Sequence, residues 1–265
     1  MINLRTDEWE LTGIDTIFFD KDGTFVDSHT YWGEIIRRRI QKTIEQYDLP
    51  ASDMPALCQA MGYDLSKKKL TEAGPVGIVS REEVIEHFLQ ELQARYQLVL
   101  SFQEMDELFK EVHAAFKQDS DQFIVPLKGC VGFFEYLKQH DVRMAVITSD
   151  AKEMTWHTLT RLDLAKYFDL VITKEDHARP KRTGDPALLA LKKLNAEPER
   201  TIAIGDAPMD AQMANNAHLK AAVLIATGQI SYGNLKKSSD FVVGNYGFGS
   251  QDNNGCAFTF ESALK

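Results

Sequence analysis

The chain reads as an α/β protein: a parallel-sheet core interrupted early by an all-helical insert. Three observations predict this. A short apolar run, Ile14-Asp15-Thr16-Ile17-Phe18-Phe19, breaks into charges and a glycine at Asp20-Lys21-Asp22-Gly23-Thr24. From His29 to about Gln118, apolar residues recur at helical spacing with no convincing buried strand. From Pro126 onward, short β-branched runs alternate with helix-length segments, the rhythm of βαβ units feeding a parallel sheet.

Each element follows from local pattern. The Ile14–Phe19 run is short, β-branched and aromatic, as a buried parallel strand is. In the insert, Ile35, Ile36, Ile40 and Ile44 mark one helix and Ser52 to Met61 suits another. Lys67-Lys68-Lys69 is a solvated face, and Thr71 to Gly77 is a loop punctuated by glycine and proline. Ser80-Arg81-Glu82-Glu83 is a capping box, opening a helix through Val84, Ile85, Phe88, Leu89 and Leu92. Met105, Leu108, Phe109, Val112 and Phe116 line another helix from Gln103 to Lys117. After Pro126 the helices are Lys128–Gln139, Ala151–Leu162, Asp185–Leu194 and Met209–Asn216. The strands are Arg143–Ile147, Asp169–Ile172, Thr201–Ile204, Ala221–Ile225 and Phe241–Val243. The expected domains are therefore a core of residues 1–27 and 126–265 and a helical insert of residues 28–125. The tail from Asn245 is rich in Gly, Asn and Gln and reads as irregular, with Phe258 and Phe260 able to dock on the core.

Bulk composition narrows the function classes. With 265 residues, 44% hydrophobic and 26% charged, the chain is of ordinary globular make-up. No apolar stretch approaches the ~20 residues needed to span a bilayer. Met1 to Glu10 is polar and acidic, unlike a secretory leader. The three cysteines, Cys58, Cys130 and Cys256, are scattered, which favours reduced thiols in a cytoplasmic protein. A net charge of -9 argues against nucleic acid or an anionic membrane as partner.

The chemistry-bearing positions follow strands, so a parallel sheet should gather them on one edge. Asp20 and Asp22 repel each other, and a divalent cation is the simplest compensation. Gly23 allows a tight turn, and Thr24 offers a hydroxyl and a backbone donor. Thr148-Ser149-Asp150 follows a strand and enters a helix, a corner suited to phosphate; an ordinary N-cap reads the same way. In the cationic loop Arg179-Pro180-Lys181-Arg182, a lysine can neutralise the acids and hold phosphate. Gly205-Asp206-Ala207-Pro208-Met209-Asp210 places two acids one helical turn apart, oxygen ligands of the kind Mg²⁺ takes. Solvated turns and surface charge would account for each loop alone. The ordered combination is far more specific.

That order, DxDGT, strand-Thr, Lys, GDxxxD, resembles the haloacid-dehalogenase-like (HAD) superfamily of phosphotransferases. FFDKDGTFVDS is similar to its phosphoglycolate-phosphatase-like branch, and the insert looks like a C1-type cap on a Rossmann-like core. The resemblance implies that Asp20 is a nucleophile forming an aspartyl-phosphate and Asp22 a general acid/base. It implies Mg²⁺ on the Asp20 carboxylate, the Asp22 carbonyl and Asp206, with Asp210 helping. Thr148 and Lys181 would hold the phosphoryl group, with Gly23, Thr24 and Ser149 as further substrate contacts. Substrate choice would sit in the cap, where the loop Thr71 to Val79 and Arg81 can reach over the phosphate; Arg81 reads equally as an exposed first-turn residue of its helix. Lys181 lacks the usual following proline, so Lys174 or Arg179 remains open for its role. The implied activity is Mg²⁺-dependent hydrolysis of a small-metabolite phosphomonoester. A phosphosugar mutase, a phosphonatase or a non-catalytic phospho-ligand-binding protein are the alternatives.

Overall fold

The computed structural model describes residues 1–76, 79–247 and 259–262, the last four by backbone alone. The chain divides into two compact units, Met1–Asp27 with Pro126–Lys265, and Ser28–Val125. In the first unit, β1 (Ile2–Arg5) and β2 (Glu10–Ile14) form an antiparallel pair. The chain breaks at Asp15, and β3 (Thr16–Phe19) then runs fully buried.

The second unit holds α1 (Ser28–Gln46), α2 (Met54–Ala60), β4 (Tyr63–Asp64), β5 (Lys69–Leu70), α3 (Arg81–Tyr96) and α4 (Phe102–Phe116). It is helical apart from the two-residue ladder of β4 and β5. Ser80 and Ser101 each close a reciprocal capping box, with Glu83 and Glu104, so α3 and α4 start where their first free amides find a side-chain acceptor. Ile36, Ile40, Phe88 and Phe109 lie in one apolar cluster confined to this unit. Lys67, Lys68 and Lys69 are exposed. Gly77 and Ile78 of the expected specificity loop lie outside the described residues.

The first unit resumes with α5 (Cys130–Gln139), β6 (Arg143–Ile147), α6 (Lys152–Arg161), β7 (Leu170–Ile172), α7 (Asp185–Leu194), β8 (Thr201–Gly205), α8 (Pro208–Asn216), β9 (Ala221–Ile225), α9 (Tyr232–Leu235), β10 (Phe241–Val243) and β11 (Thr259–Ser262). Six strands form a parallel sheet in the order β10-β9-β8-β3-β6-β7. Successive side chains point to opposite faces. Ile17 and Phe19 of β3 therefore join Met144, Val146, Ile202 and Ile204 on one side, while Phe18 joins Ala145, Ile147 and Ala203 on the other. The first side is rich in aromatics: Phe19 and Phe25 meet Phe134 edge-on at 5.1 and 5.6 Å. The second is alanine-rich, with Ala187 and Ala190 of α7 and Ala211 and Ala214 of α8 lying close on the sheet.

Two features depart from the sequence reading. The expected irregular tail contributes β11, which pairs antiparallel with β1 through Leu4 opposite Phe260. Phe258 and most of the Gly-rich tail lie outside the described residues. The N-terminal stretch, for which the sequence reading gave no strand, forms β1, and Ile2 and Leu4 alternate into the core. Cys58 and Cys130 are buried free thiols, and burial pushes both up to about 12. Among the described residues no helix is long and apolar enough to cross a membrane.

Candidate active site

The sheet order creates the site. From β3 the chain steps outward through β6 and β7, then returns to the other side of β3 with β8, β9 and β10. The order reverses between β3 and β8, and a crevice opens beyond the carboxyl ends at such a point. Asp20 leaves β3 and Asp206 leaves β8 there. The Asp20 amide donates to the Ile204 carbonyl at 2.9 Å, continuing the ladder one residue past the strand.

The turn after Asp20 is built around one carbonyl. Lys21 O accepts from the amides of Thr24, Phe25 and Val26 at 3.3, 3.0 and 3.1 Å. Gly23 sits at φ +78°, a conformation that L side chains rarely adopt. A Cβ on Gly23 would lie 2.2 Å from Asp206 Oδ2, and one on Gly228 would lie 1.7 Å from the same atom. The Asp206 carboxylate is thus seated between two bare backbones. Thr227 Oγ1 donates to the Gly23 carbonyl at 2.6 Å, and the Tyr246 hydroxyl donates to the Thr24 carbonyl at 2.8 Å.

Lys181 enters from the turn that precedes α7. Its Nζ lies 2.5 Å from Asp20 Oδ1 and 2.6 Å from Asp210 Oδ1, and the residue is 2% exposed. Lys174 and Arg179 are exposed instead. Gly184 lets this turn approach α8: its φ is +86°, and a Cβ there would stand 2.9 Å from the Ala217 amide. Asn216 Nδ2 fixes the same turn by donating to the Arg182 carbonyl at 2.8 Å. Thr24 Oγ1 lies 3.5 Å from both Asp20 Oδ2 and Asp206 Oδ1.

A second ionic group stands beside the first. Lys21 Nζ lies 2.6 Å from Asp22 Oδ1 and 3.2 Å from Asp150 Oδ2, so the spacer of DxD is itself a buried cation. Thr148 Oγ1 accepts from the Asp150 amide at 3.1 Å, which turns the chain into α6. Ser149 is exposed. Arg81 lies in the helical unit and holds Asp106 at 2.8 Å.

Charge is crowded here. Burial raises the Asp206 carboxyl well above the ordinary range, and the charges of Asp20 and Asp210 add to it. Burial also raises Asp20, with Asp210 adding and Lys181 opposing. For Asp22 burial again raises the carboxyl, and Lys21 works against it. Burial disfavours the Lys181 ammonium, yet Asp20 and Asp210 outweigh it and hold the lysine above its usual range. Three acids thus share one ammonium. Among the described residues no three His, Cys, Asp or Glu side chains form a ready-made metal cage. The donors are all hard oxygens with uncompensated negative charge, which fits a small divalent cation completed by backbone carbonyl or water.

Several of these residues carry little signal in the sequence. Lys21 reads there as a spacer, and Asp150 as part of a phosphate-binding corner. Thr227 and Gly228 follow β9 by the same strand-end rule that selects the other loops. Tyr246 carries no local signal.

The arrangement has relatives. A family model for haloacid dehalogenase-like hydrolases matches residues 14–218. A pyrophosphatase of Oceanobacillus iheyensis is 22% identical over 216 residues, covering 80% of this chain and 83% of its own. Phosphoglycolate phosphatase 1 of Pseudomonas aeruginosa is 25% identical over 210 residues, covering 78% of this chain and 68% of its own. The solved structure of a predicted phosphoglycolate phosphatase from Haemophilus somnus superposes with a TM-score of 0.66 at 16% identity, covering 89% and 96% of the two chains.

Proposed function

The chain belongs to the haloacid dehalogenase-like hydrolase family, and from that membership we propose that it is a Mg²⁺-dependent phosphatase of small-metabolite phosphomonoesters. The observation that carries this reading is Asp20 at the end of the central strand, with Lys181 bridging it to Asp210 at 2.5 and 2.6 Å. With Lys181 on Oδ1, the other oxygen, Oδ2, whose contact is Thr24 Oγ1 at 3.5 Å, is the one to meet an incoming phosphorus. Asp20 attacks, an aspartyl-phosphate forms, and the ester oxygen departs with a proton from Asp22. Water then attacks the phosphorus, Asp22 takes its proton, and Asp20 is released. Lys181 stabilises the charge on the transferring group, and the Thr148 hydroxyl orients it.

Asp20, Asp206 and Asp210, with the Asp22 carbonyl, would hold the Mg²⁺ ion, which supplies charge neutralisation at the transferring phosphoryl group. The helical unit is the family's cap in this reading, and its loop Thr71 to Val79 with Arg81 selects the leaving group. The relatives named pyrophosphatase and phosphoglycolate phosphatase support a small phosphorylated substrate of the phosphoglycolate kind.

The test is phosphate release from a panel of small phosphoesters, with and without Mg²⁺, by wild type and Asp20→Asn. Mg²⁺-dependent release that vanishes in the variant is expected. Release that survives Asp20→Asn overturns the aspartyl-phosphate route. Transfer of phosphate to a sugar acceptor in preference to water would make the enzyme a mutase.

A further inference from the structure

Lys21 is 3% exposed and serves two acids at once. Its Nζ lies 2.6 Å from Asp22 Oδ1 and 3.2 Å from Asp150 Oδ2. The two acids are held very differently. Asp150, between β6 and α6, is fixed at three further points. Its amide donates to Thr148 Oγ1 at 3.1 Å, and its carbonyl accepts from the Lys174 amide at 3.0 Å. Its Oδ1 accepts from the Ala151 amide at 2.8 Å, which leaves Oδ2 turned to Lys21. The Asp22 side chain is 31% exposed, and Lys21 Nζ donates to its carboxylate. A plain tie between the loops after β3 and β6 could be made with an amide at position 150. A carboxylate there adds a charge, and that charge faces a buried ammonium.

The use of that charge follows from the proton that Asp22 handles, and so rests on the phosphatase reading. While the ester is intact, Asp22 carries the proton and is no counter-ion. A buried ammonium with Asp22 as its one partner would then stand unpaired, which is costly. As Asp20 bonds to phosphorus and the ester P–O bond breaks, the proton passes from Asp22 to the leaving oxygen. Asp22 is then a carboxylate, and Lys21 Nζ is already beside it. When water attacks the aspartyl-phosphate, Asp22 takes a proton back and releases the ammonium again. Asp150 stays a carboxylate through both halves. We propose that Asp150 is a positioning residue for the acid: it keeps the Lys21 ammonium beside Asp22 in both halves of the reaction, so that the Asp22 carboxyl stays aimed at the leaving oxygen. It acts through Lys21 and not on the substrate.

The test uses the full chain as wild type, Asp150→Asn, Lys21→Met and the double variant. Asparagine keeps the Oδ1 acceptor for the Ala151 amide and removes the charge that faces Lys21. The readout is kcat/KM, with Mg²⁺, for p-nitrophenyl phosphate, phenyl phosphate and 2-phosphoglycolate. Their leaving oxygens need a proton increasingly in that order. The loss in Asp150→Asn is expected to grow along the series, to about tenfold or more for 2-phosphoglycolate. The two aryl esters give the trend where 2-phosphoglycolate is not turned over. In the Lys21→Met background, Asp150→Asn is expected to cost nothing further, because its effect runs through the lysine. Equal losses on every ester, no loss, or full additivity in the double variant would each overturn the role. Should Lys21→Met fail to fold, Asp150→Glu replaces that arm: the restored charge should recover the wild-type trend, and a trend as altered as in Asp150→Asn overturns the role. If the wild type turns over none of the esters, the phosphatase reading fails and Asp150 falls with it. Wild-type turnover with a flat loss in Asp150→Asn removes Asp150 alone.

Discussion

Lys21 shows what a single side chain adds to a short motif. Between two acids it reads as a spacer, but it lies buried and holds Asp22 at 2.6 Å and Asp150 at 3.2 Å. Without it, two acids would face each other with no cation between them, and Asp22 would lose its fixed aim. Lys21→Met should slow hydrolysis of alkyl phosphates by about tenfold or more, because a poor leaving group depends on a well-placed proton donor. Hydrolysis of p-nitrophenyl phosphate should suffer less, since nitrophenolate leaves without help. Equal losses on both esters would mean that Lys21 only supports the turn. Asp206 gives the opposite lesson. Its raised carboxyl binds a proton more tightly folded than unfolded, so its contribution is full below the unfolded value and is lost as pH rises through the folded one. Above the unfolded value, keeping this carboxyl in its buried, crowded seat opposes folding. In metal-free buffer, Asp206→Asn should therefore melt higher than wild type at pH 7, and the gap should close as pH falls toward 4. Turnover should be abolished in the same variant, the usual exchange of stability for function. A variant that melts lower at pH 7 would contradict the charge-crowding account.

At the scale of elements, the active edge depends on backbones that come close because they lack Cβ atoms. Gly228→Ala would place a methyl 1.7 Å from Asp206 Oδ2, so the carboxylate or the loop must move. Displacement of about 1 Å at a reacting centre can cost around a hundredfold in rate. The variant should keep the wild-type far-UV spectrum and lose about that much kcat; unchanged kinetics would show that the cradle is slack. Gly228 also marks where sequence reading stops. The β-branched runs that form β6, β9 and β10 are legible because a parallel sheet buries both faces of its strands. The loops carrying Asp20, Thr148 and Asp206 are legible because every parallel strand ends on the same edge. β1 is not, since its partner β11 lies at the other end of the chain and Leu4 meets Phe260 only through the fold. A two-residue ladder such as β4 with β5 has no periodicity to detect. The Lys21–Asp150 pair joins two strands, so neither stretch signals it alone.

The whole molecule consists of two units, the sheet unit with an apolar cluster on each face of its sheet and the helical unit with one of its own. The chain leaves the first unit at Asp27 and re-enters at Pro126, and these crossings are neighbours. Val26 bridges antiparallel to Pro126, and the Leu127 amide donates to the Phe25 carbonyl at 2.9 Å. The sheet unit therefore closes on itself without the insert. Replacing Ser28–Val125 with a short Gly-Ser connector should leave a protein that unfolds in one cooperative transition with a parallel-sheet and helix spectrum. Every contact of Lys181 with Asp20 and Asp210 lies within that remainder, as does the seat of Asp206 between Gly23 and Gly228. The crowding of Asp206 should survive the excision, and with it the gain in Tm from Asp206→Asn at pH 7. A shortened chain that melts without cooperativity would show that the insert is needed to fold the sheet. A cooperative one in which Asp206→Asn no longer stabilises would place part of the charge burden in the helical unit.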